Sequence, residues 1–251
     1  MDPAELARYA DEHLEAQAFQ DYAPNGLQVV GRRPVRRLIT GVTACQALLD
    51  AAVREDADAV LVHHGYFWKN EDARIAGMKA ERLRTLLGHD MSLFAYHLPL
   101  DAHTELGNNA CLARDLGITV TGNFDTGTYR PLGMLGELPQ PESLEGVAAR
   151  VADVLGRRPT VVAGGDHPVQ RLAWCSGGAQ GFIDHVATLG VDLYLSGEIS
   201  EPTVHTAREC GLHYLAAGHH ATERGGVQAL GAHLAARFGF EHLFIDIDSP
   251  A

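Results

Sequence analysis

The chain reads as an α/β protein built from two similar halves. Three observations lead there. Short apolar runs alternate with helical patterns, the alternation occurs twice in the same order, and polar residues stand at the ends of corresponding runs. The amino-terminal MDPAELARYADEHLEA is an amphipathic helix, with Asp2 as its cap, Pro3 at its first position and Glu5 completing a capping-box pattern. RLITGVTA is then a strand and ACQALLDAAVRED a helix. DAVLVHH is a strand and GMKAERLRTLLG a helix, and MSLFAYH is a strand followed by the helix ELGNNACLARDLG, closed by Gly117. The second half runs strand RLAWCSGG, helix GFIDHVATLG, strand DLYLSGE and helix SEPTVHTARECG. It ends with strand LHYLAAGH, helix ERGGVQALGAHLAARFG and a last strand, HLFIDI. The Gly- and Pro-rich TGNFDTGTYRPLGMLGELPQPESLEG between them reads as the crossing, which divides the chain into halves 1–124 and 125–251.

The halves are related residue by residue. A shift of 134 sets Leu38 on Leu172, Asp50 on Asp184, Asp58 on Asp192, and His63 and His64 on Gly197 and Glu198, without a gap. A shift of 122 sets His97 on His219, Asp101 on Glu223 and Gly117 on Gly239. Such self-similarity is the mark of duplicated structure.

Length and composition narrow the classes. With 251 residues, 46% hydrophobic and 21% charged, the chain is long enough for a full core and ordinary for a globular protein. A formal charge of −12 argues against a general nucleic-acid or anionic-membrane binder, because phosphate surfaces need a basic face. The four cysteines form no CxxC pair, the amino terminus lacks signal-peptide character, and no run approaches the roughly 20 apolar residues that span a bilayer. The expectation is a soluble, cytoplasmic protein.

VLVHHGYFW holds the first chemical signal. Adjacent side chains inside a strand point to opposite faces, so His63 and His64 act together only where the backbone turns, at the strand's carboxyl end. The bland alternative is a strand end with one buried and one solvated histidine. Ligands of α/β sheets gather at such ends, and the corresponding ends carry HH, GE, HxxxD and HxxxE. His63, His64, His97, Asp101, His219 and Glu223 form an imidazole–carboxylate set without thiolates, which suits zinc, iron, manganese, nickel or cobalt. The set is too large for one tetrahedral ion. Two divalent transition-metal ions per chain, bridged by Asp101 or Glu223, account for it better. His13, His89, His103, His167, His185, His213, His233 and His242 are read as ordinary core or surface residues, with His205 and His220 left open.

NGLQV from Asn25 to Val29, VHHGYFW, YHLPLDAHTELGNNA, SGEISE and AAGHHATERGG resemble the NIF-three-like family, also called GTP cyclohydrolase I type 2 homologues, and within it the bacterial YbgI group. The resemblance covers nearly the whole chain. It implies two intertwined α/β halves, each with a mixed sheet and flanking helices, a dinuclear metal centre and a toroidal homohexamer. By this resemblance His63, His64, Asp101, His219 and Glu223 are the metal ligands, and His97 matches a position at the site. Longer members carry an inserted domain between the halves, whereas this chain has only the short crossing.

The function this implies is metal-dependent hydrolysis of a small molecule, such as ring opening of a purine nucleotide, with Glu198 or His97 shuttling the proton. No GxxxxGK[ST] loop is present, so a nucleotide would rely on the metals and on basic residues such as Arg130 or Arg224. The alternative is a non-enzymatic metal-binding or interaction platform built on the ring. A ring clamped on nucleic acid needs a locally basic inner rim to overcome the charge of −12.

Overall fold

The computed structural model describes all residues from Met1 to Ala251. In chain order the first part holds α1 (Pro3–His13), β1 (Gly26–Val29), β2 (Arg37–Thr43), α2 (Gln46–Arg54), β3 (Ala59–His64), α3 (Gly77–Gly88), β4 (Ser92–Ala95), α4 (Leu98–Ala102) and α5 (Asn108–Leu116). It continues with β5 (Thr119–Phe124), β6 (Gly133–Glu142), α6 (Leu144–Leu155), β7 (Thr160–Val162), β8 (Val169–Cys175), α7 (Ile183–Val186) and β9 (Leu193–Ser196). The last elements are α8 (Glu201–Glu209), β10 (His213–Ala216), α9 (His219–Thr222), α10 (Arg224–Phe238) and β11 (Glu241–Phe244). No helix is long and apolar enough to cross a membrane.

Two mixed sheets result, each inside one compact unit. The first has the order β1-β4-β3-β2-β11, with β1 antiparallel to β4 and the other pairs parallel. Its central strands are apolar on both faces. Leu38, Leu61 and Phe94 pack into a core with Leu6 and Ala10 of α1, while Ile39, Val60 and Leu93 pack into another with Leu48 and Leu49 of α2. Helix α1 starts as expected, Asp2 accepting from the amides of Ala4 and Glu5 at 2.8 and 3.3 Å. The second sheet has the order β5-β6-β8-β9-β10-β7. Leu172, Trp174, Leu193, Leu195 and Leu215 of this sheet pack on Val147 and Val151 of α6 and on Leu112 and Leu116 of α5. Gly117 ends α5 with φ +69°, the left-handed stop read from the sequence.

The duplication extends to single hydrogen bonds. One carboxylate oxygen of Asp58 accepts the amides of Arg36 and Arg37 at 2.9 and 3.0 Å. Asp192 does the same for Gln170 and Arg171 at 3.0 and 2.8 Å, 134 positions on. The antiparallel edge strands correspond as well: Gly26 pairs with Ala95 as Thr160 pairs with Ala216. In the third strand the true correspondence is 121, because Ser92 lies beside Ala59 as His213 lies beside Leu193. The shift of 122 therefore holds only beyond the strand, where the second copy has gained one residue.

Two expectations need correction. The segment read as a plain crossing carries β6, which pairs antiparallel with both β5 and β8. Pro139 and Pro141 hid it: proline cannot donate to a ladder, and the register slips between Glu137 and Glu142. The helix expected from GFIDHVATLG shrinks to a 3₁₀ turn, Gln180–Phe182, and the four-residue α7. The chain falls into two compact units that are not continuous in sequence. They consist of Met1–Gly107 with Gly226–Asp248, and of Asn108–Gly225 with Ser249–Ala251. The reason is an exchange of corresponding helices. Leu112, Ala113 and Leu116 of α5 belong to the core of the second sheet, and Val227, Leu230 and Leu234 of α10 belong to that of the first.

Candidate metal centre

In the first unit a cluster of imidazoles stands at the carboxyl end of β3. Thr43 pairs with His64 there, so His63 and His64 are the last two strand residues. Their rings do converge: ring centroids lie 4.6 Å apart, and His97 joins them at 5.0 Å from His63 and 5.7 Å from His64. One ring nitrogen from each of the three falls within a 4.8 Å set. His63 is fully buried, and its Nδ1 donates to the Tyr96 carbonyl at 2.8 Å. A carbonyl only accepts, so Nδ1 carries the proton of this bond, which fixes the orientation of the ring and of its Nε2. That Nε2 is 3.5 Å from Oδ2 of Asp101.

His97 stands just before α4, and Asp101 follows one helical turn later, buried to 7% exposure. Sequence reasoning missed what anchors this turn. Asp21 accepts from His97 Nδ1 at 2.6 Å and from the amide of Leu98 at 2.9 Å, while Asn25 accepts from the His97 amide at 2.7 Å. Burial pushes the Asp21 carboxyl up, but the hydrogen bonds and charge of His97, with those from Asn25 and the Tyr22 amide, outweigh it and hold the group ionised below its usual range. NGLQV contains Asn25, yet nothing in the sequence ties position 21 to position 97.

In the second unit α9 supplies His219, and Glu223 follows at i+4. His219 Nε2 lies 3.2 Å from Glu223 Oε1, and its Nδ1 lies 2.7 Å from Glu198 Oε1. Glu198 is further held by Gln180 Nε2 at 3.1 Å, and its own carbonyl accepts from Ser196 and Tyr214 hydroxyls at 2.9 and 2.6 Å. Burial opposes a charge on His219, but the bonds and charges of Glu223 and then Glu198 prevail and push its pKa up to about 9. Gly177 is the other residue sequence reasoning missed. It has φ +67°, and a Cβ there would lie 2.2 Å from Glu223 Oε1, so only glycine lets the backbone pass this carboxylate.

The remaining residues fall in different places. His213 is a satisfied core histidine, bonded to the Gly164 amide and the His167 carbonyl. His242 bonds Thr40, and the His13 ring stacks on His233 at 4.5 Å and meets His103 at 4.9 Å in a tilted contact. His205 is exposed on α8, and His220 sits beside His219 in α9. Arg224 donates to the Leu155 carbonyl and braces α6.

A profile of the family described as Duf34/NIF3 (NGG1p interacting factor 3) matches residues 1–250. The chain belongs to the DUF34/NIF3 family. A "GTP cyclohydrolase 1 type 2 homolog" of Pseudomonas aeruginosa is 58% identical over 98% of this chain and 97% of its own length. The homologue of that name in Escherichia coli K12 is 54% identical, with both chains fully covered. Among solved structures, a protein titled ybgI, of unknown function, superposes with TM-score 0.96 at 54% identity over the whole of both chains.

The donor set of this DUF34/NIF3 chain fits a transition metal. Imidazole and carboxylate are borderline-to-hard ligands, and no thiolate is among them. The stronger sign is the outer layer of hydrogen bonds. His63, His97 and His219 each have Nδ1 tied to a carbonyl or carboxylate, and His64 Nδ1 lies 3.2 Å from the Thr43 hydroxyl. Histidines held this way present a fixed Nε2, the arrangement that orients metal-ligating imidazoles.

Proposed function

We propose that this protein is a metal-dependent hydrolase that holds two divalent transition-metal ions per chain. The observation that carries the reading is the anchoring of Nδ1 on all four histidines of the set. The ligands in this reading are His63, His64, Asp101, His219 and Glu223. When bound, the ions supply Lewis acidity toward water and toward an electrophilic carbon or phosphorus of the substrate. The chain does the rest. Glu198 fixes the orientation of His219 and offers a second carboxylate oxygen as a proton acceptor, and His97, backed by ionised Asp21, takes or returns a proton. The names of the relatives suggest a purine nucleotide as substrate.

Elemental analysis of gently purified, metal-reloaded protein is the first test, with about two ions per chain expected. A value near zero after reloading would sink the proposal. Screening the loaded protein on nucleotides, phosphoesters and peptides then separates the hydrolase from a metal-binding platform, which holds the same ions and turns nothing over. Family membership also supports a toroidal homohexamer. Light scattering should give a mass near six chains, and a monomer at micromolar concentration would count against it.

A further inference from the structure

We infer that Tyr22 and Trp68 form a stacking rim beside His97 that receives the planar heteroaromatic ring of the substrate. The inference rests on the small-molecule reading above and names the part of the molecule that recognises it.

Both rings lie against the same imidazole. Trp68 meets His97 at 5.1 Å between centroids with an interplanar angle of 87°, and Tyr22 meets it at 6.4 Å and 66°. Trp68 also lies 5.9 Å from His64. The two come from separate segments, tied by a 2.5 Å hydrogen bond from the Lys69 amide to the Tyr22 carbonyl. The indole is oriented by its Nε1, which donates to the Gly65 carbonyl at 3.2 Å.

This placement carries a conformational cost. Phe67 and Asn70, on either side of Trp68, have φ of +65° and +70°, in the left-handed region that side chains rarely adopt. Backbone strain of this kind persists where the surroundings over-determine it, and it concentrates at ligand clamps. Packing alone gives a poor reason for it. Tyr22 is 62% exposed and Phe67 38% exposed, so the loop leaves aromatic surface open instead of burying it.

An exposed phenol face and an oriented indole suit a flat π-system, because a nucleobase stacks on aromatic rings whatever its hydrogen-bonding pattern. A ring laid on this rim brings its edge to His97 and His64. An aliphatic or purely phosphorylated substrate gains nothing from such a surface.

The test is a titration of metal-reloaded protein with guanosine 5′-monophosphate and, separately, ribose 5-phosphate, with excitation selective for tryptophan. The only other tryptophan, Trp174, is 1% exposed and donates to the Asn109 carbonyl, so it is shielded from ligand. Saturable quenching by the nucleotide and none by the sugar phosphate is expected. Trp68→Phe should abolish the quench while calorimetry still detects binding. Tyr22→Ala should weaken binding about tenfold or more with metal content unchanged. Equal binding of both probes, or an unaltered Tyr22→Ala, would overturn the inference. Metal is measured on the same samples, which keeps the two readings apart. Full metal content without quenching sinks the rim alone, whereas quenching in protein that holds no metal supports the rim and sinks the metal reading.

Discussion

Asp101→Ala and Glu223→Ala proteins are expected to leave desalting with well under half the metal of the unaltered chain, while His103→Ala keeps close to all of it. The two carboxylates are 7% and 3% exposed, and each has an oxygen near a histidine Nε2, Asp101 with His63 and Glu223 with His219. Removing one leaves two cations close together with less compensating charge. His103 is only two positions from Asp101, but its Nδ1 accepts the amides of Glu105 and Leu106 and so caps a turn. Its loss costs about 1–3 kcal/mol of stability, the scale of two hydrogen bonds. Elemental analysis of the three variants decides the matter, and equal retention in all of them contradicts the ligand assignment.

Glu198 separates positioning from charge. Glu198→Gln keeps an oxygen that can accept from His219 Nδ1, and its new NH2 can donate to Gln180 Oε1 once the Gln180 amide flips, so folding and metal content should stay nearly intact. It removes the basic carboxylate. Any turnover found should therefore fall by about 10²-fold or more, the scale of a general base. Glu198→Ala removes the anchor as well and should weaken metal binding by about 10- to 100-fold. The measurements are metal affinity by competition with a chelator and turnover on the best substrate from screening. If Glu198→Gln and Glu198→Ala lose metal equally and turnover is unchanged in the metal-saturated Gln variant, the carboxylate serves only as a strut. The 2.7 Å bond to His219 already shows that this residue does more than favour a helix amino terminus.

Much of this was legible in one dimension because it is written in local pattern. Adjacent histidines ending an apolar run, and His97 with Asp101 or His219 with Glu223 at one-turn spacing, are short-range features whose geometry follows from strand and helix periods. Internal comparison lifted them above chance, and it singled out Glu198 opposite His64. Asp58 and Asp192 show how deep that comparison reaches, since their matching amide bonds repeat at the same shift. The strand β6 was not legible, because Gly133, Gly136 and two prolines carry the composition of a linker and only pairing with β5 and β8 holds them extended.

The amino-acid sequence by itself determined the α/β class and the duplication, and it put forward the imidazole–carboxylate set, because each rests on spacing along the chain. Only the tertiary structure decided which unit each helix joins. Residues of α5 join the core of the second sheet and residues of α10 that of the first, an exchange that no spacing along the chain encodes. It alone decided the supports of the site too. Asp21 reaches His97 across 76 positions, Tyr96 reaches His63 across 33, and Gly177 grants passage beside Glu223. Such contacts leave no periodic trace, since a hydrogen bond needs proximity in space and is indifferent to distance along the chain.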